Sequence, residues 1–220
     1  MDKPVDHGLF DSAGEETFLT GRPYREFPQP QPVESHGPAT IISMVNQKGG
    51  VGKTTSTINL GAALVEQGRK VLLVDLDPQG ALSAGLGVPH DGEQITVYDL
   101  LFDNTASIHA AIQHSNVSGL DLVPANIDLS AAEIQLVNEV GREHTLARAL
   151  RPVRGEYDYI FIDCGPSLGL LTVNALAASH GVIIPMEGEY YSLRGLALLT
   201  DTVEKVRDRI NFDLDIVGIV

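Results

Sequence analysis

Residues 45–57, with the sequence VNQKGGVGKTTST, constrain the fold of this chain more than any other stretch. They follow the apolar segment ATIISMV, whose β-branched residues are typical of a buried strand, and they run into KTTSTINLGAALVEQG, which has the pattern of a helix. A glycine-rich bend between a strand and a helix directs backbone N–H groups toward an anion. The stretch therefore predicts a phosphate-binding loop at a strand-to-helix junction.

The rest of the chain alternates apolar runs with helical patterns. Further strands are predicted over 70–77, 119–125, 157–163, 181–186 and 214–220, and helices over 53–68, 129–150, 167–179 and 192–209. Because the strand segments are apolar at nearly every position, helices should cover both faces of the sheet, and parallel pairing is expected. Residues 39–220 are therefore predicted to be one α/β domain, a P-loop NTPase with a mostly parallel central sheet and helices on both faces.

Residues 1–38 differ in composition from the predicted domain. Proline alternates there with polar residues, at Pro23, Pro28, Pro30, Pro32 and Pro38. Proline fixes φ and removes a backbone donor, so neither a helix nor a central strand persists. The segment is predicted to be an extended or disordered arm, and it serves either as an inert tail or as a strand that docks a partner.

The residues of the loop are of the types that bind the phosphates and the metal ion of a nucleoside triphosphate. The glycines allow a tight turn, Lys53 reaches the β- and γ-phosphates, and Thr54 presents a hydroxyl that can ligate Mg²⁺. ATP and Mg²⁺ are therefore the predicted cofactors. The predicted nucleotide contacts are Lys48, Gly49, Gly50, Val51, Gly52, Lys53, Thr54 and Thr55.

Two predicted strands end in aspartates that would lie near this loop. Asp163 ends YDYIFID, an apolar strand with the form of a Walker B element, and we place it beside Thr54 on the Mg²⁺ side. The segment VLLVDLDPQG supplies Asp75 and Asp77 from another strand end. An aspartate at a strand end often only forms a turn, but next to a phosphate loop the functional interpretation is favoured.

The loop resembles that of a known superfamily. KGGVGKTT is similar to the deviant Walker A motif of ParA/MinD proteins. The resemblance implies that Lys48 is the signature lysine, which reaches across a two-fold interface to the phosphates of the partner's ATP, while Lys53 serves its own nucleotide. It also implies that Asp77 orients the attacking water and that Asp75 supports the loop. The implied catalytic residues are Lys48, Lys53 and Asp77.

The resemblance extends over residues 39–220. The segments RKVLLVDLDPQGALSAGLG, LVPANIDLSAAEIQLV and YDYIFIDCGPSLGLLTVNALAAS are similar to ParA/Soj partition ATPases, most of all to the ParA-like ATPases of actinobacteria. It implies a weak ATPase that dimerises with ATP, binds DNA nonspecifically and is stimulated by a ParB-like partner. A cytoplasmic, nucleoid-associated location is implied as well, and Glu189 and Tyr190 would lie near the dimer or partner surface.

The chain also departs from the family pattern. Gly165 adds a glycine where the family usually reads D-x-P-P-S or D-C-Q-P-S, which is expected to loosen that turn. Ala81 stands where many relatives have asparagine. The family continues beyond residue 220 with adenine contacts and most of its DNA-binding arginines, so the C-terminal part of the domain is expected to be missing.

Charge and cysteine content narrow the choice of partners. The formal net charge of −14 argues against a long basic surface, so DNA contact requires a local patch. The candidate basic patch consists of Arg194, Lys205, Arg207 and Arg209, although these residues could equally form an ordinary solvated helix face.

The only cysteine, Cys164, is predicted to be a buried thiol. A bridged iron-sulfur cluster needs at least two thiolates per subunit, so a single cysteine excludes it. No apolar stretch approaches ~18 residues, so no membrane contact is expected here.

Three further functions stay open at this level. One is a scaffold that binds nucleotide without hydrolysing it. Another is a MinD-like positioning ATPase, which would need a membrane-binding amphipathic helix beyond residue 220. The third is an ATP-dependent ligase that shares the signature lysine. The segments EYYSLRG and PQGALSAGLG favour partition.

Overall fold

The structure is a computed structural model of the 220-residue chain, and it describes residue 31 and residues 33–88, 92, 94–188 and 192–220. The chain divides into two units, Met1–Gln31 and Pro32–Val220. Most of the predicted arm over 1–38 therefore lies outside the described residues.

A seven-stranded sheet forms the centre of the second unit. Its strands are β1 Thr40–Met44, β2 Val71–Leu76, β3 Gln113–His114, β4 Leu120–Val123, β5 Tyr159–Cys164, β6 Gly181–Ile184 and β7 Asp215–Ile219. They are ordered β3-β4-β2-β5-β1-β6-β7, and every neighbouring pair is parallel except β3 with β4. The predicted mostly parallel sheet is confirmed, with one short antiparallel edge strand that the sequence pattern did not reveal.

Helices cover both faces of this sheet. The described residues form α1 Lys53–Glu66, α2 Ala81–Gly85, α3 Val97–Phe102, α4 Ile108–Ala111, α5 Leu129–Leu136, α6 Thr145–Leu150, α7 Leu170–Ala178 and α8 Ser192–Arg209. Side chains of α1 and α2 belong to one hydrophobic cluster with the sheet, and those of α3 to α8 belong to another. The prediction of helices on both faces is therefore confirmed.

Side chains along the central strands alternate between the two faces of the sheet, which explains the two hydrophobic clusters. In β2, Leu72 and Val74 join the cluster under α3 to α8, whereas Val71 and Leu73 join the one under α1 and α2. All six residues of β2 are buried. Successive side chains of a strand point to opposite faces, so a strand covered on both sides is apolar at nearly every position, and Asp75 is the exception in β2. At Gly61 of α1 a Cβ would lie 3.1 Å from Leu73 Cδ2, so glycine permits close approach of this helix to the sheet.

The predicted helix over 129–150 is wrong as one continuous element. Helix α5 ends at Leu136, and α6 begins at Thr145 after a 3₁₀ turn over Arg142–His144. Gly141 has a φ of 65° in the connection, a left-handed conformation that a continuous α-helix does not contain. Both short helices pack their apolar residues into the hydrophobic cluster on the same side of the sheet.

One face of α8 packs into the core over most of its length. Leu199, Val203 and Val206 are buried, and Leu196 packs against them in the same cluster. Leu193, which continues the same three- to four-residue spacing, is 58% exposed. The first turn of α8 therefore extends beyond the packed part of the helix.

His180 links β1 to β6 at the amino end of the sheet. The backbone N–H of Ile41 donates to His180 Nδ1 at 2.9 Å, and the backbone N–H of His180 donates to the Ile41 carbonyl at 2.8 Å. Burial lowers the pKa of His180, and the positive charge of Arg154 lowers it further. The neutral imidazole is the form that accepts the Ile41 hydrogen bond.

We expect the pH dependence of stability to report this contact. Because the folded-state pKa of His180 lies below its usual value of 6.5, its stabilisation is present above pH 6.5 and is lost as pH falls through the lower, folded-state value. Between about pH 8 and about pH 5, the thermal unfolding temperature should fall more for the wild type than for His180→Asn. The asparagine amide oxygen accepts the same hydrogen bond without titrating. Parallel losses in the two proteins would contradict this role for His180.

None of the helices in the described part of the chain is both long enough and apolar enough to cross a membrane.

Candidate nucleotide-binding site

The predicted phosphate loop lies between the end of β1 and the start of α1. Gly50 and Gly52 have φ values of 78° and 87°, which β-carbon-bearing residues rarely adopt, and Gly52 is the N-cap of α1. Helix α1 begins directly at Lys53, so its first, unpaired backbone N–H groups face the loop. The glycine positions therefore build the anion-binding bend that the sequence predicted.

Asn46 fixes the start of this loop, and sequence reasoning missed it. Its Oδ1 accepts the backbone N–H of Lys48 at 2.9 Å, and its Nδ2 donates to the carbonyl of Pro185 at 2.6 Å. The first bond sets the turn, and the second ties the loop to the segment after β6. An asparagine two residues before the bend was a local signal for the turn, but nothing local indicated Pro185.

The two lysines of the loop lie in different environments. Lys53 is 8% exposed, and its Nζ donates to the backbone carbonyl of Lys48 at 3.2 Å, across the inside of the loop. Lys48 Nζ contacts Glu187 Oε2 at 2.6 Å, and these side chains are 41% and 49% exposed. One ammonium is therefore held within the loop, whereas the other lies at the surface and is reachable from outside.

Thr54 and Asp163, both predicted to lie on the Mg²⁺ side, meet beneath the loop. The Thr54 hydroxyl donates to Asp163 Oδ2 at 2.6 Å, and Asp163 is 1% exposed. Burial raises the pKa of Asp163 to about 7, while the bond from Thr54 and the charge of Lys53 act in the opposite direction. The carboxylate is thus poorly solvated, which favours a cation beside it.

A metal ion at this position would need ligands beyond the protein. Within the described part of the chain, no three His, Cys, Asp or Glu side chains are grouped closely enough to hold one. Mg²⁺ commonly uses one or two protein oxygens and completes its octahedron with water and phosphate oxygens. The Thr54 and Asp163 pair fits such a shared site.

Asp75 and Asp77 lie at the end of β2, next to β5. Asp75 is fully buried and is the register partner of Asp163 on β5. Burial raises the pKa of Asp75 to about 6, and hydrogen bonds from Ser83 counteract the rise. Asp77 is partly exposed, and its Oδ1 accepts the backbone N–H of Gln79 at 2.9 Å. A Cβ at Gly165 would lie 3.4 Å from Asp77 Cγ, so the unusual glycine leaves space beside this carboxylate.

Among the described residues, Thr55 and Lys205 are not hydrogen-bonded to this cluster. Thr55 is exposed on the first turn of α1. Glu189 and Tyr190 lie outside the described residues. On α8, Lys205 pairs with Asp201 at 2.6 Å. Cys164 is buried, as predicted, and burial raises the pKa of its thiol.

Known proteins match this chain over the same region. The model of a family described as an AAA domain matches residues 39–216. An uncharacterised protein of Mycobacterium tuberculosis is 70% identical over 202 residues, which are 92% of this chain and 64% of that protein. The chain therefore spans less than two thirds of the length of that relative.

Two further matches have descriptive names. The chromosome-partitioning ATPase Soj of Treponema pallidum is 52% identical over 178 residues, 81% of this chain and 69% of that protein. A crystal structure titled cobyrinic acid a,c-diamide synthase from Mycobacterium smegmatis, with bound ADP and magnesium, is 45% identical. It superposes with a TM-score of 0.78 over 83% of this chain and 74% of that one. The family match over residues 39–216, the identity to Soj and the phosphate loop together show that the chain belongs to the ParA/Soj family of partition ATPases.

Proposed function

We propose that this chain is an ATP-driven dimerisation switch of the partition type, which hydrolyses ATP slowly. The observation that carries the proposal is the pair of lysines in one loop, with Lys53 buried inside it and Lys48 at the surface. One ammonium suffices for the nucleotide of its own subunit. The second is placed where a neighbouring molecule can reach it.

The residues around the loop fit ATP and Mg²⁺. Lys53 and the amides of the glycine bend would hold the β- and γ-phosphates, and Thr54 with Asp163 would hold the metal. A Mg²⁺ held there would neutralise negative charge that develops on the phosphates during transfer. A related crystal structure that contains ADP and magnesium supports this assignment.

Lys48 is proposed to act on the nucleotide of a second copy. Its contact with Glu187 joins two side chains that are both more than 40% exposed, and such pairs contribute little, about 0–1 kcal/mol. Exchange of Glu187 for triphosphate oxygens therefore costs little. A charge that contacts the triphosphate of a second copy only in the ATP-bound dimer makes ATP a ligand that discriminates dimer from monomer, as a switch requires.

Hydrolysis is proposed to depend on Asp77, with its carboxylate orienting a water. Residues 45–57 contain no arginine, and an arginine finger contributes roughly 10³–10⁵ in rate where one is present. Turnover should therefore be slow for the isolated subunit. Because Lys48 of a partner would supply part of this charge, turnover per subunit should rise with protein concentration.

DNA and a ParB-like activator are proposed as partners, in the cytoplasm on the nucleoid. The name of the Treponema pallidum relative, a chromosome-partitioning ATPase, supports this role. With a formal net charge of −14, DNA contact would be confined to a local basic patch. Arg194 and Arg209 are exposed on α8 and remain candidates for part of it.

An amide-forming synthase is the second candidate, because the related Mycobacterium smegmatis structure is titled as one. A synthase that draws nitrogen from glutamine through a cysteine would need an accessible thiol. The only cysteine of this chain is 1% exposed, and burial raises its pKa. This chain therefore does not provide that nucleophile, and the switch is the better supported function.

Sizing with and without ATP tests the proposed function. Light scattering after size exclusion should show a monomer alone and a dimer with ATP and Mg²⁺. The measurement is repeated with DNA at about 50 mM and about 200 mM salt, and DNA binding should weaken steeply at the higher concentration. The logarithm of the binding constant should fall against the logarithm of the salt concentration with a slope near −0.9 per neutralised phosphate. A single mass across all nucleotide conditions would contradict the switch, and consumption of glutamine with ATP would favour the synthase.

A further inference from the structure

One buried carboxylate holds both ends of the segment that carries Asp77. Asp75 Oδ1 accepts the backbone N–H of Asp77 at 3.2 Å. Asp75 Oδ2 accepts the backbone N–H of Ser83 at 2.9 Å and the Ser83 hydroxyl at 2.6 Å. The segment 77–83 therefore forms a closed loop across a single side chain.

The Ser83 hydroxyl makes a second connection. While it donates to Asp75, its oxygen accepts the backbone N–H of Ala125 at 3.3 Å, just after β4. Ser83 is 3% exposed and Ala125 is 2% exposed, so water cannot readily replace either bond. Ser83 thus fixes the position of the loop relative to two neighbouring strands, β2 and β4.

The backbone of the loop transmits this position to Asp77. The N–H of Gly80 donates to the carbonyl of Asp77 at 2.9 Å, and α2 starts directly after Gly80. Helix α2 is only five residues long and contains Ser83 at its centre. A shift of Ser83 would therefore move a short, rigid element whose other end is bonded to Asp77.

We propose that Ser83 is a positioning residue for hydrolysis, whose hydroxyl, held between Asp75 and the backbone of Ala125, fixes the loop that presents Asp77. The inference rests on the proposed function of Asp77 and adds a residue that does not touch the nucleotide. Because catalytic geometry must be kept within a fraction of an ångström, loosening this loop should slow turnover. The phosphate loop shares no hydrogen bond with Ser83 among the described residues, so ATP binding should persist.

The kinetic test uses two substitutions at one position. Ser83→Ala removes the hydroxyl, and Ser83→Cys keeps a side chain of similar shape with a thiol that hydrogen-bonds only weakly. We expect kcat to fall roughly 10- to 100-fold in both, with KM for ATP within about twofold of the wild type. The matched control is Ser179→Ala, since Ser179 is also buried and its hydroxyl is also hydrogen-bonded, donating to the backbone carbonyl of Ala175 at 2.8 Å. Its kcat should stay unchanged.

A second readout needs no nucleotide. Amide hydrogen exchange of the free protein should be faster at Asp77 and Gly80 in both Ser83 variants, and unchanged there in Ser179→Ala, because only the Ser83 variants release the loop. Protection at Asp77 and Gly80 equal to that of the wild type would overturn the positioning role, whatever the kinetics show.

The two measurements distinguish a failure of the positioning role of Ser83 from a failure of the proposed ATP hydrolysis. A wild type that never turns over ATP would refute the proposed hydrolysis, while exchange would still decide whether Ser83 holds the loop. A wild type that hydrolyses ATP together with Ser83 variants of equal kcat would refute the positioning role and leave the hydrolysis intact. Loss of kcat in Ser179→Ala to the same degree would also refute it, since the effect would then follow from general destabilisation.

Discussion

Lys53→Ala should abolish measurable ATP binding. The Lys53 ammonium is buried inside the phosphate loop, and no other cation is placed there in the described residues. Charged hydrogen bonds contribute about 1.5–3 kcal/mol each, so loss of contacts to two phosphates should weaken binding roughly 100-fold or more. Isothermal titration with a slowly hydrolysed ATP analogue measures this directly.

The matched control for this loss is Lys70→Ala. Lys70 is exposed just before β2, at the opposite end of the sheet from the loop, so its removal changes the net charge equally without touching the site. It should bind ATP like the wild type. Affinity in Lys53→Ala within about tenfold of the wild type, a change of only about 1.4 kcal/mol, would contradict the role given to Lys53.

Lys48→Ala should separate binding from assembly. The Lys48 side chain lies at the surface against Glu187, so we expect its loss to leave ATP affinity within a fewfold of the wild type. Dimerisation with ATP should disappear, because the partner's phosphates would lose their cross-interface cation. Sedimentation with ATP and Mg²⁺ should show a monomer at concentrations where the wild type is a dimer.

Glu187→Gln provides the complementary control. It removes the carboxylate that contacts Lys48 in the single subunit but retains Lys48 itself. Dimerisation with ATP should therefore persist and occur at equal or lower protein concentration. A Lys48→Ala protein that still dimerises with ATP would show that the second lysine has another purpose.

Local sequence signals were enough to predict the frame of this site. The mostly apolar β2 and β5 indicated a buried parallel sheet, and the glycine-rich stretch indicated a tight bend before a helix, where Gly50 and Gly52 adopt positive φ. These features depend on neighbours in sequence, because strand alternation and glycine φ preference act over a few residues. Thr54 lies beside Asp163 in the structure because the parallel strands β1 and β5 end at the same edge of the sheet.

Two other contacts between distant segments could not be predicted. Asn46 with Pro185 and Lys48 with Glu187 each join residues 139 positions apart. Nothing in the sequence near Asn46 or Lys48 specifies which segment will lie beside it, since that depends on the order of β1 and β6 in the sheet.

The predicted helix over 129–150 missed a local break. Residues 138–144, NEVGREH, contain one apolar side chain, that of Val140, and Gly141 adopts a left-handed conformation between α5 and α6. The Asp75 and Ser83 pair was hidden for a different reason. A buried serine eight residues after an aspartate has no recognisable spacing, and its meaning appears only when α2 folds back over the end of β2.

The position of Lys48 Nζ in an ATP-loaded structure tests the central claim most directly. If one lysine serves its own nucleotide and the other serves the partner's, Lys48 Nζ should leave Glu187 and lie about 3 Å from a phosphate oxygen held by a second copy of the chain. The contrary result is an ATP-bound assembly in which Lys48 still contacts Glu187, or faces solvent, with no second copy opposite the loop.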